Sequence, residues 1–193
     1  MNQKTLGIIA LVCSPAMLIE GLRHNLKPVP NELTDPTGAL LYAAFSIGWL
    51  CSMIGLRRLR AAGDGQAGRY LLDLTLASIT LAILQTPMDL LKLPTSHPLY
   101  LVTDLAWPAS MLLTFVVSVA ALFARALPGW TRFVPMLCGI SVPLTLLLTL
   151  LLGRELPGLL MLLHTAVAWA LLGWVVYRSN PQGPAPLRPQ LAA

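Results

Sequence analysis

Long apolar runs alternate along this chain with short polar segments rich in proline, glycine and arginine. Six runs stand out, at residues 5–22, 38–59, 70–91, 99–126, 133–152 and 156–177. A helix rising about 1.5 Å per residue needs roughly 20 apolar residues to cross the ~30 Å hydrocarbon core of a bilayer, which is the length of these runs. In hydrocarbon every backbone N–H and C=O must be paired within the protein. The runs also lack the two-residue alternation of barrel strands. The pattern predicts an all-α, polytopic integral membrane protein, with one six-transmembrane-helix bundle over residues 1–178. The remaining SNPQGPAPLRPQLAA, residues 179–193 after its first helix-ending positions, is proline-rich and is expected to be a disordered tail.

Composition agrees with the pattern. Of 193 residues 56% are hydrophobic and only 11% charged, against roughly 25% charged in soluble domains. The net charge of +5 could point to nucleic acid, but its placement argues for orientation. With the amino terminus in the cytoplasm and alternating spans, Lys4, Arg57, Arg58, Arg60, Arg69, Arg125, Arg132, Arg178 and Arg188 fall inside. Arg23, Lys27, Lys92 and Arg154 fall outside, a bias of nine to four. The positive-inside rule then predicts both termini in the cytoplasm, with the lipid bilayer as partner and no role for nucleic acid. The Arg-over-Lys usage and the abundant Ala, Gly and Pro suggest a bacterial inner membrane. The start of the chain, Lys4 followed by LGIIALVC, lacks an A-x-A-like site and is read as an uncleaved first span.

Small residues recur every four positions and predict helix-packing seams. They are Ala44, Gly48 and Ser52 in the second span, Ser110, Thr114 and Ser118 in the fourth, and Ser141, Thr145 and Thr149 in the fifth. The last two stripes are expected to pack antiparallel. Pro15, Pro108, Pro135 and Pro143 are candidate kinks or breaks. Cys13, Cys51 and Cys138 have no metal-type spacing and read as small buried hydrophobes. The Gly-rich turn after Arg60 lacks the GxxxxGK[ST] pattern of a phosphate loop.

The candidate chemistry gathers at the outer end. The stretch Gln85–Met111, QTPMDLLKLPTSHPLYLVTDLAWPASM, holds Asp89, Lys92, His97 and Asp104 beside apolar spans. An ionisable group near hydrocarbon is costly unless paired or solvated, which marks such groups as candidates for a site. Alternation of the spans brings Glu20, His24, Gln85, Asp89, His97, Asp104 and His164 to this side. Lys92 is the expected partner of Asp89. Asp104 is expected near a helix amino terminus, where it can cap the first turn. Three imidazoles and a carboxylate could hold zinc with a position open for water, so His24, His97 and His164 are candidate ligands. Haem is the other cofactor an intramembrane His can serve. No HxxxH or HxxE spacing is present, and no catalytic residue can be assigned.

The function these features favour is a non-catalytic membrane subunit, associated with other membrane subunits or with itself, or a binder of a small apolar or lipid-like ligand. A metal-dependent lipid hydrolase built on the outer His/Asp cluster and a small transporter stand as alternatives.

Overall fold

A computed structural model describes residues 1–27, 35–152 and 158–179, and the described residues are helical throughout their regular structure. In chain order the helices are α1 (Gln3–Cys13), α2 (Ala16–Arg23), α3 (Pro36–Arg58), α4 (Gln66–Ile83), α5 (Gln85–Leu90), α6 (Pro98–Ala124), α7 (Val134–Gly139), α8 (Ser141–Leu152) and α9 (Gly158–Arg178). A short 3-10 turn over Gly129–Phe133 precedes α7. The expected tail, the proline-containing connection after Lys27 and the turn before α9 lie outside the described residues.

Local chemistry sets the ends. The Asn2 side chain accepts from the Thr5 N–H at α1, and Asp35 accepts from the Gly38 N–H at α3, where Pro36 supplies the first-turn proline. His97 caps α6 by accepting from the Leu99 N–H, with Pro98 at the first position. Arg60 and Arg125 adopt left-handed backbone conformations just past α3 and α6.

Five stretches are long and apolar enough to cross a membrane: Gln3–Arg23, Pro36–Arg58, Gln66–Leu90, Pro98–Ala124 and Gly158–Arg178. The run at residues 133–152, expected as one helix, is instead two pieces bent by 54°, and counts as a sixth span only if both are taken together. Its break at Ile140 has a local cause. Pro143 has no N–H to offer the Gly139 carbonyl, so the helical ladder is interrupted there. Pro15 likewise separates α1 from α2, whereas Pro108 sits inside a continuous α6.

The bundle is organised around α3, which packs against α1, α2, α4, α5 and α9. At its middle Phe45, Trp49 and Trp169 of α9 form an aromatic cluster with ring centroids 5.2–6.2 Å apart. The Trp49 indole donates to the Thr114 hydroxyl of α6 at 3.2 Å. The backbones of α1, α3 and α9 approach closely. A Cβ added at Gly7 would lie 2.5 Å from the Tyr177 backbone, at Gly48 2.7 Å from Cys13 Cβ, and at Gly173 2.8 Å from the Leu11 nitrogen.

The polar seams have different partners from those expected. The α6 stripe does not run against the α8 stripe. Ser110 bonds Ser78 of α4 at 2.9 Å, Thr114 meets Trp49 of α3, and Ser118 donates to the Pro135 carbonyl of α7 at 2.6 Å. On α8, Ser141 faces His164 of α9 at 3.5 Å and Thr145 lies 3.4 Å from the Met161 sulfur. The bend at Ile140 turns α8 onto α9. Gly48 lies close against Cys13 of α1, with Ser52 buried and Ala44 partly buried on the same helix. The side chain of Thr149 lies outside the described residues. Asp73 of α4 pairs with Arg57 of α3.

Gly7→Ala forces the α1 and α9 backbones apart and is expected to destabilise the protein by about 1–3 kcal/mol, the usual cost of overpacking. Gly65→Ala, where an added Cβ meets nothing within 4 Å, weakens only the N-cap of α4 and is expected to cost less. Thermal unfolding of both variants in detergent checks the contrast.

Candidate functional site

The end of the bundle where α2 finishes and α3 and α6 begin contains a cavity of about 730 Å³. This lies within the range of roughly 300–1,000 Å³ typical of small-molecule sites. Its wall is assembled from α2 (Met17, Glu20, Gly21) with its C-cap His24, α3 (Gly38, Ala39, Tyr42), α5 (Gln85, Asp89), α6 (Asp104, Leu105, Trp107, Pro108) and α9 (Gly158, Met161, Leu162). Leu26 and Lys27, just past α2, complete it.

Two polar arrangements contribute to this wall. The first closes the α2–α3 corner. Glu20 accepts from Arg23 at 2.6 Å and lies 3.1 Å from His24 Nε2, and Arg23 reaches across to Asp35 at 2.7 Å. The Arg23 guanidinium beside Asp35, helped by the Gly38 N–H, holds the Asp35 carboxyl down to about 2.

The second joins α5 to α6. Gln85 sits on α5, six residues of helix set off from α4 at Leu84, and the break turns its side chain towards α6. Gln85 Nε2 donates to Asp104 Oδ1 at 3.2 Å and to Tyr100 Oη at 3.3 Å. Tyr100 Oη in turn donates to Asp89 Oδ1 at 2.9 Å. A neutral amide and a phenol thus link two carboxylates, with Gln85 6% and Tyr100 3% exposed. Pro108 has no N–H, so the Asp104 backbone carbonyl, four residues earlier, lacks its usual helical donor. The Trp107 indole N–H has no hydrogen-bond partner among the described residues.

Five of the seven residues expected at this side therefore line one cavity: Glu20, His24, Gln85, Asp89 and Asp104. His97 and His164 do not. His97 is spent capping α6, and His164 faces Ser141. Among the described residues no three His, Cys, Asp or Glu side chains are placed to share a metal ion, so the zinc expectation on His24, His97 and His164 finds no donor set there. Paired haem ligation finds none either, because His24 pairs with Glu20 and the other two face different partners. Lys92 forms no ion pair with Asp89 among the described residues. It ends α5 in a left-handed conformation, and Asp89 takes the Tyr100 hydroxyl instead. Asp104 is no cap: α6 begins at Pro98, two turns earlier, and has no acidic residue in its first turn.

Sequence reasoning missed Tyr100, Tyr42 and the inward role of Trp107. The signal for Tyr100 was its i,i+4 spacing to Asp104, matching that of Gln85 to Asp89, which puts each pair on one helix face. No family model matches the chain, and no curated protein and no solved structure matches it.

A carboxyl whose folded pKa is depressed stabilises the fold above its unfolded value, and that contribution fades as pH falls through the folded pKa. For Asp35 the window runs from about pH 4, the unfolded carboxylate value, down to about 2. Asp35→Asn keeps an acceptor for Gly38 but loses the charge facing Arg23. It is expected to melt below the parent at pH 5–7 in detergent, and the two melting curves are expected to converge as pH falls through that window.

Proposed function

We infer that this chain is a six-span protein of a bacterial inner membrane that binds a small amphiphilic ligand in the cavity at the outer side of the bilayer. The observation that carries this reading is the cavity itself. It combines apolar wall residues from α2, α6 and α9 with carboxylates and an amide, the mixture that anchors one end of a ligand and sheathes the other. The orientation, with both termini cytoplasmic, is supported by the basic residues gathered at the opposite end. There Arg57 pairs with Asp73, Arg58 reaches the Met1 carbonyl, and Arg178 lies over Trp174, itself stacked on Trp130. Association with other membrane subunits is compatible with the exposed leucines of α8.

Native mass spectrometry of the detergent-released protein tests ligand binding. A one-to-one adduct of small mass is expected on the parent and is expected to be lost in Leu105→Trp, which fills the cavity. A parent free of any adduct, with a melting temperature unmoved by membrane-lipid extract, would refute the reading. Ligand present at 100 times its Kd would add about 2.7 kcal/mol of stability, an effect melting reads easily.

The orientation has its own check. In a background lacking Cys13, Cys51 and Cys138, a cysteine at Ser96 is expected to react with an impermeant thiol reagent from outside the cell, and one at Ser179 only from the cytoplasm. The reverse labelling would overturn the orientation.

A further inference from the structure

Six carboxylates lie among the described residues: Glu20, Asp35, Asp64, Asp73, Asp89 and Asp104. The first four are each in an ion pair, with Arg23, His24, Arg57 or Arg60. Asp89 and Asp104 have no cation within ion-pair distance among the described residues, although both line the cavity. Each accepts one hydrogen bond, on Oδ1, from a neutral donor. Their second oxygens accept no hydrogen bond among the described residues. Glu20 shares the Arg23 guanidinium with Asp35, and Lys27, the one cation among the lining residues besides any charge on His24, is exposed at the edge. The uncompensated charge of the cavity is therefore negative and sits on the α5–α6 wall.

We propose that the ligand is an organic ammonium ion carried on an apolar group, held by Asp89 and Asp104 with the apolar group against Met17, Leu105 and Leu162. The proposal rests on the ligand-binding reading above and gives it a chemical class. An anion would meet two like charges in a low-dielectric wall, and a neutral ligand would leave both uncompensated. A bare metal ion is disfavoured by the donor geometry, since no third acidic, His or Cys group completes a set among the described residues, and by a volume far beyond an ion's need. Tyr42 and Trp107 add aromatic faces of the kind that attract ammonium groups. Such a group could come from a free alkylamine or from the amine headgroup of a lipid.

The test uses the full chain in maltoside micelles at neutral pH and three probes with one tail and different heads: octylammonium, octanol and octanoate. Isothermal titration is expected to show octylammonium binding at least about tenfold more tightly than octanol, a factor a single compensated charge readily supplies, with octanoate weakest. In Asp89→Asn/Asp104→Asn the preference for ammonium over octanol is expected to collapse. Octanol binding as tightly as octylammonium, or octanoate binding best, would overturn the ammonium assignment while leaving a ligand site in place. None of the three binding, with no lipid bound either, would sink the ligand-binding reading itself. Should the double variant not fold, the comparison of heads on the parent decides alone. Dihexanoyl phosphatidylethanolamine displacing octylammonium marks a lipid amine as the source, and its failure to compete marks a free amine; either outcome supports the ammonium assignment.

Discussion

Helices α1, α3 and α9 lie as close as they do because Gly7, Gly48 and Gly173 put no side chain between their backbones. In a bilayer, burying apolar surface against another helix gains little over burying it against lipid tails, so association depends on dispersion contacts at short range and on a few polar bonds. The glycines supply the first. Beside them Phe45, Trp49 and Trp169 fill the volume that the close approach leaves at the middle of the bundle. The Trp49–Thr114 bond then ties α3 to α6. Everything at the cavity end inherits its position from this arrangement, since α2 continues from α1, and the α3 and α9 walls are the ends of the same packed helices.

The cavity arises because helices around it are interrupted while the central one is not. Pro15 separates α2 from α1, and the break at Leu84 sets α5 off from α4. Each short helix brings one acidic side chain to the wall, Glu20 and Asp89. The uninterrupted α6 brings the third, Asp104, two turns into the helix, where Pro108 loosens the backbone bonding without ending it. Proline thus acts in two ways here, as a break that re-aims a segment and as a missing donor that leaves a carbonyl available.

The long apolar runs made the helical class and the membrane-crossing stretches legible, because their length and lack of charge answer to one physical constraint, the dry bilayer interior. Gathering of Glu20, His24, Gln85, Asp89 and Asp104 was legible too, since alternation of spans fixes which ends are neighbours. What eluded a sequence reading was pairing at the level of side chains. Lys92 is nearer to Asp89 in sequence than Tyr100 is, yet the turn after α5 takes Lys92 into a left-handed conformation and the α6 helix carries Tyr100 to the carboxylate. Asp104 read as a cap because α6 was expected to start near it; a His-Pro start two turns earlier moved it onto the wall. The bend at Ile140 was signalled by Pro143, but its size, and so the choice of α9 rather than α6 as partner for Ser141 and Thr145, depends on three-dimensional packing that no spacing encodes.

The two ends of the bundle handle charge in opposite ways. At the arginine-rich end Arg57 and Asp73 close directly on one another, as do Arg60 and Asp64 at 3.0 Å. Such pairs satisfy themselves and ask for nothing further. On the α5–α6 wall two carboxylates are joined only through an amide and a phenol, groups that orient one oxygen of each without cancelling its charge. As a means of stabilising a bundle this is poor: a half-buried carboxylate left without a counter-ion stabilises less than a hydrophobic replacement of the same size would. A chain with only 11% charged residues, whose other described carboxylates are all in ion pairs, carries that cost at its cavity. Pre-orienting Asp89 and Asp104 makes sense energetically when the compensating charge arrives from outside, because the ordering of both side chains is then complete before the partner binds.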